Sequence, residues 1–166
     1  MIATTAPRTA SAAPFTRRRG FSLVELIIVI VIIGLLAAIA VPRFSRGAAG
    51  ASTNATSGDL SVLRNAIEIY AAEHNGAYPT QADFVTLMTQ YSDVSGTTTS
   101  ATPSAGTPYG PYLRRMPALK VGANAGDSGV AALPTPPAEV ATGDVGWLYD
   151  QGTGQILAND TASFGL

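Results

Sequence analysis

Residues 21–41 read Phe-Ser-Leu-Val-Glu-Leu-Ile-Ile-Val-Ile-Val-Ile-Ile-Gly-Leu-Leu-Ala-Ala-Ile-Ala-Val, preceded by Arg17, Arg18, Arg19 and Gly20. Apart from Ser22 and Glu25 the stretch is apolar or glycine throughout. A helix of this length, at ~1.5 Å per residue, reaches ~30 Å and matches the hydrocarbon core of a bilayer. The arginines on its N-terminal side predict that this end stays cytoplasmic while the rest of the chain crosses or leaves the membrane.

Glu25 is the anomaly in this run. A carboxylate in an apolar segment costs about 3 kcal/mol on insertion scales, so it needs a partner or a shallow position. One reading places it at headgroup depth, paired with nothing. The other gives it a cation close by in low dielectric.

The order Arg19-Gly20, Phe-Ser-Leu-Val-Glu-Leu, an aliphatic run and Ala40-Val41-Pro42 resembles the leader and first helix of type IV pilins and type II secretion pseudopilins, from Arg19 to Phe44. The resemblance implies that a membrane-embedded prepilin peptidase cuts after Gly20 and methylates Phe21. It also implies that Glu25 pairs with the N-terminal amine of a neighbouring subunit during assembly. The expected organisation is a leader over 1–20, a transmembrane and filament-core half-helix over 21–42, and a periplasmic globular domain over 43–166.

Composition agrees with one domain beside a membrane helix in 166 residues. Four of the ten basic residues, Arg8 and Arg17 to Arg19, precede Gly20. Cleavage there leaves six bases against eleven acids, a net charge of −5. Such an acidic chain argues against nucleic acid as a partner. Cysteine is absent, so the C-terminal loop that many pilins close with a disulfide must be held otherwise. The segment before Gly20 is rich in Ala, Thr, Ser, Pro and Arg, and it lacks acids, as leaders do. An ordinary signal peptide cut near Ala38-Ile39-Ala40 is the competing reading. It sits poorly with an apolar run longer than the usual ~7–15 residues.

Beyond the run, Pro42 removes a backbone donor and is expected to kink or locally melt the helix. Gly34 and Ala38 form a small-xxx-small pair, a spacing common in membrane helices generally. Gly47, Gly50 and Gly58 weaken helix propensity. From Asp59 to His74, Leu60, Leu63, Ile67, Tyr70 and Ala71 fall on one helical face, and Asn75-Gly76 supplies a stop. Thr80 and Asp83 read as the start of a short helix through Phe84, Val85, Leu87 and Met88. Ser92–Pro108 and Val121–Thr142 read as Ser/Thr/Gly/Ala/Pro-rich loops. Gly146-Trp-Leu-Tyr-Asp150, a Gln-Gly-Thr-Gly turn and Gln155-Ile-Leu-Ala-Asn159 predict a β-hairpin, with Trp147 and Tyr149 opposite in face to Leu148. Tyr78-Pro-Thr80, Gly110-Pro-Tyr-Leu-Arg-Arg115 and the hairpin are further points of similarity to major pseudopilins. The expected fold is α+β and pilin-like: a long N-terminal helix whose second half packs on a small antiparallel sheet.

No catalytic constellation stands out, and no enzyme is expected. His74 is the lone histidine, read as capping a helix end or facing water. Arg114 and Arg115 read as a solvated edge. No cofactor is expected; the resemblance raises calcium, for which Asp127, Asp144, Asp150 and Asp160 are the oxygen ligands on offer, although their spacing matches no calcium loop and each suits a turn. The expected function is a structural subunit of a type II secretion pseudopilus. Its expected partners are copies of itself, other pseudopilins, the prepilin peptidase, the inner-membrane secretion platform and lipid. A type IV pilin or minor pilin for adhesion, motility or DNA uptake is the alternative.

Overall fold

The computed structural model describes residues 20–140 and 143–164, with the side chains of Ser45 and Arg46 outside that description. The leader up to Arg19, with its arginine cluster, lies outside the described residues. The chain divides into two compact units at Pro42/Arg43.

Helix α1 spans Leu23–Glu73 and includes Pro42, which therefore lies within the helical span rather than at its end. In the first unit no large apolar side chain of α1 is buried: Leu23 is 72% exposed, Ile30 58% and Leu35 64%. Each such side chain left in water forgoes about 1.5–3 kcal/mol of burial. This part of α1 is long and apolar enough to cross a membrane.

In the second unit, Arg43–Leu166, α1 changes character. Gly47, Gly50 and Gly58 face open space, so no close approach explains them. From Leu60 onward the expected stripe is buried, with Leu60, Leu63 and Ile67 fully covered. Asn75 (φ 58°) and Gly76 (φ 82°) end the helix in the left-handed region, and the Gly76 N–H donates to the Ala71 carbonyl at 2.7 Å. Helix α2, Phe84–Thr89, follows a turn in which the Thr80 hydroxyl donates to Asp83 Oδ2. Phe84, Leu87 and Met88 join the α1 stripe, Leu113, Leu119, Trp147, Tyr149 and Ile156 in one core. Phe84 and Tyr149 make an aromatic pair at 4.4 Å between ring centres.

Two short strands, β1 (Tyr91–Ser92) and β2 (Thr99–Ser100), pair antiparallel inside a stretch expected to be loop. The main sheet has the order β3–β4–β5, with β3 at Val130–Ala132, β4 at Trp147–Asp150 and β5 at Gln155–Ala158. The β4–β5 hairpin forms as expected, pairing Leu148 with Leu157 and Tyr149 with Ile156. The expected faces also hold: Trp147, Tyr149 and Ile156 enter the core, and Leu148 and Leu157 are buried on the other side. The sheet is mixed rather than wholly antiparallel, because β3 runs parallel to β4. The connection from β3 is long enough to carry the chain back to the start of the sheet before β4 begins, which a parallel pair requires. Pairing ends with the Leu133 N–H donating to the Tyr149 carbonyl, since Pro134 follows and has no donor.

Polar side chains close the loops that cysteine cannot. Asn159 is fully buried; its amide donates to the Val140 and Val145 carbonyls, each at 2.7 Å, and its Oδ1 accepts from the Val140 N–H at 2.8 Å. Asn124 donates to the Asn159 carbonyl and to Glu139 Oε1. Lys120 and Asp59 form an ion pair. At Gly146 the chains approach so closely that a Cβ would collide with the Asp127 carbonyl. Gly146→Ala should therefore cost about 1–3 kcal/mol by overpacking. Urea unfolding of the full chain in detergent measures this, and a midpoint equal to wild type would show that the two segments yield freely.

Candidate functional site

Gly20, Phe21 and Ser22 precede the first helical residue, Leu23. The Ser22 carbonyl accepts from the Leu26 N–H at 3.2 Å, and the Ser22 N–H donates to Glu25 Oε2 at 3.2 Å. Ser22 is thus the helix N-cap, and Glu25, three residues on, supplies the reciprocal half of a capping box. The Ser-x-x-Glu spacing is the sequence signal of this cap. The cap gives Glu25 a hydrogen-bond donor inside its own chain and favours the negative charge at the positive end of the helix. Phe21 is 77% exposed.

In the second unit, His74 takes the first of its two expected roles. It does cap the helix end, through Nδ1 and the Tyr70 carbonyl at 2.8 Å, but it is buried and does not face water. Since that carbonyl can only accept, Nδ1 carries the proton, and Nε2 accepts from the Ser92 hydroxyl at 3.0 Å. The ring stacks on Tyr70 at 3.7 Å between centres. Tyr112 packs edge-on to Tyr70 and donates its hydroxyl to Glu73 Oε2 at 2.6 Å. These groups pin β1 and the Tyr109–Tyr112 segment to the end of α1; the hydroxyl–imidazole contact of Ser92 and His74 is buried on both sides and open to no substrate. Arg114 and Arg115 are exposed.

The four calcium candidates do not converge. Asp144 Oδ1 accepts from the Ser128 N–H, and Asp160 Oδ2 from the Ser163 hydroxyl. Asp150 takes the Thr153 hydroxyl and the Gly152 N–H, which hold its carboxyl below the usual range. Asp127 contributes backbone groups to its turn, its N–H donating to the Asn124 carbonyl. Among the described residues no group of three or more His, Cys, Asp or Glu could hold a metal ion.

Asp93 organises the β1–β2 turn. The Ser95 hydroxyl and then the Thr98 N–H, with Thr97 assisting, pull its carboxyl down to about 2. The residue is half-buried, and the effect is confined to this turn. With the folded value depressed, the turn's stabilisation is complete above the unfolded carboxylate range near ~3.9 and is lost as pH falls through about 2. Protection of the Thr97 and Thr98 amides, corrected for intrinsic exchange, should fall as pH drops through that window and stay level above it. A flat profile would contradict this.

A membrane-length apolar helix with a capped carboxylate at its start, followed by a small α+β domain, fits a membrane-anchored subunit. The family model described as the prokaryotic N-terminal methylation motif matches residues 15–41. The type II secretion system core protein G of Klebsiella pneumoniae is 34% identical over 102 residues, covering 61% of this chain and 67% of that protein. The type IV major pilin protein PilA of Myxococcus xanthus is 35% identical over 127 residues, covering 75% of this chain and 47% of the pilin. The type IV major alpha-pilin of Moraxella bovis is 34% identical over 86 residues, covering 52% and 53%. These matches span about half to two thirds of the relatives' own lengths. No solved structure matches the chain. The chain belongs to the type IV pilin and type II secretion pseudopilin family, whose members are structural subunits and not enzymes.

Proposed function

We propose that the chain is a subunit of a type II secretion pseudopilus. The similarity to core protein G over two thirds of that protein carries this reading. The prepilin peptidase cuts after Gly20 and methylates Phe21; Arg17, Arg18 and Arg19 hold the leader on the cytoplasmic side of the inner membrane. The half-helix over 21–42 rests in lipid, with Pro42 bending it where it leaves the bilayer. The domain over 43–166 is periplasmic. The secretion platform then draws the subunit, with other pseudopilins, into a filament whose core is made of these helices. Glu25 sets the axial step by pairing with a neighbour's amine, a head-to-tail contact that repeats without closing. The similarity to PilA across three quarters of the chain favours a pilus subunit as the second reading.

Co-production with a prepilin peptidase followed by intact-mass measurement tests the processing. The expected product begins at N-methylated Phe21. A product beginning near Val41 would instead establish an ordinary signal peptide. Dependence of the filament on a secretion ATPase and secretin supports the first reading, and dependence on a retraction ATPase supports the second.

A further inference from the structure

Within the second unit one large apolar side chain stands far out of line with the rest. Phe44 is 77% exposed, against 42–56% for Val62, Ile69, Val85 and Val94. The same unit has an open cleft of about 410 Å³ between α1 and the C-terminal loops. Ala49 and Ser52 of α1 form one wall, and Val121, Gly122, Asp160 and Ala162 the other. Its small side chains leave space that none of the described residues fills. A cavity of about 150 Å³ takes a benzene ring, so the cleft has room for a phenyl group and part of a neighbouring stem.

We propose that Phe44 of one copy docks in this cleft on the next copy, with Arg43 beside it facing Asp160. Charge decides the occupant. Phe44 is preceded by the exposed cation of Arg43; in the cleft Lys120 is already paired with Asp59, which leaves the half-buried carboxylate of Asp160 as the charge on offer. The knob is thus aromatic plus positive, and the hole is small-walled plus negative. Knob and hole are different patches of one surface, so the contact is heterologous and repeats along a fibre. Residues 44 and 52 are ~12 Å apart along an α-helix, so docked copies are displaced by about that distance along α1. The proposal rests on the polymerisation reading above and adds a contact in the second unit, separate from the one at Glu25.

The test replaces Phe44→p-benzoylphenylalanine in the full chain, which keeps an aromatic knob and makes it photoreactive. After illumination of assembled filaments, linkage to 49–53, 120–122 or 160–163 of a second copy is expected. Filaments whose links map to lipid or to 21–41 would overturn the docking while leaving polymerisation intact. A processed wild-type chain that forms no filament would overturn both. Ala162→Trp, which fills the cleft from an exposed position, should leave the melting temperature in detergent unchanged and cut filament yield at least fivefold. Asp160→Arg, which also gives up the hydrogen bond from Ser163, should cut the yield per folded subunit as well, with that yield restored by Arg43→Asp in the same chain. Normal yield from Ala162→Trp, or no restoration from the paired exchange, would count against the contact.

Discussion

Glu25→Gln leaves the chain made, inserted and cut, yet keeps it out of filaments. Glutamine is a good capping-box residue at this position, so the Ser22 N–H keeps its acceptor and the helix start is preserved. What the substitution removes is the charge. In the proposed filament it leaves a neighbour's amine buried without its counter-ion, at about 3–5 kcal/mol per contact. That corresponds to more than about 100-fold in affinity for each added subunit. Glu25→Val removes charge and cap together and should assemble no better. Filament yield, normalised to membrane-inserted and processed subunit, is the measurement. Wild-type yield from the glutamine variant would remove Glu25 from assembly and leave it only its role at the helix start.

Asn159→Leu should unfold the C-terminal loops without touching the hydrophobic core. The side chain has no exposure and serves two carbonyls and one N–H across Val140 and Val145. Leucine is similar in volume but leaves all three backbone groups unpartnered, each at about 1–3 kcal/mol if it stays buried. Val140 and Val145 are only half-buried, so some of that cost is relieved by water. We expect a net loss of about 3–5 kcal/mol and a Tm lower by about 10 °C or more. Asn124→Ala removes two hydrogen bonds donated by one amide and should cost less. An unchanged Tm for Asn159→Leu would mean that packing alone holds these loops.

Features carried by periodicity were readable in advance. The membrane-length run needs only composition, and the stripe from Leu60 to Tyr70 needs only the helical repeat; both kinds of signal survive tertiary context. The hairpin at Trp147–Ala158 showed itself through alternation around a glycine turn. β3 did not, because three residues, Val130–Ala132, are too few to alternate and its parallel partner lies far along the chain. β1 and β2 have two residues each in a Ser/Thr-rich stretch and are set by Asp93 and its hydroxyl neighbours. The cap at His74 follows from its place at the helix end, but its burial does not, because burial of a polar ring depends on partners such as Ser92, eighteen residues away. At the N-terminal site, the glutamate was legible as an anomaly in an apolar run. Its hydrogen bond to Ser22 required attention to the turn that precedes the run.

Asn159 also bears on where this protein can mature. A domain stapled by sulfur must meet an oxidant before its last loops settle, and reductant reopens it. Here the same fastening is made from a carboxamide and backbone groups, and the chain contains no thiol. The globular part can therefore reach its final form in a reducing cytosol, without a disulfide isomerase, and dithiothreitol leaves it unchanged.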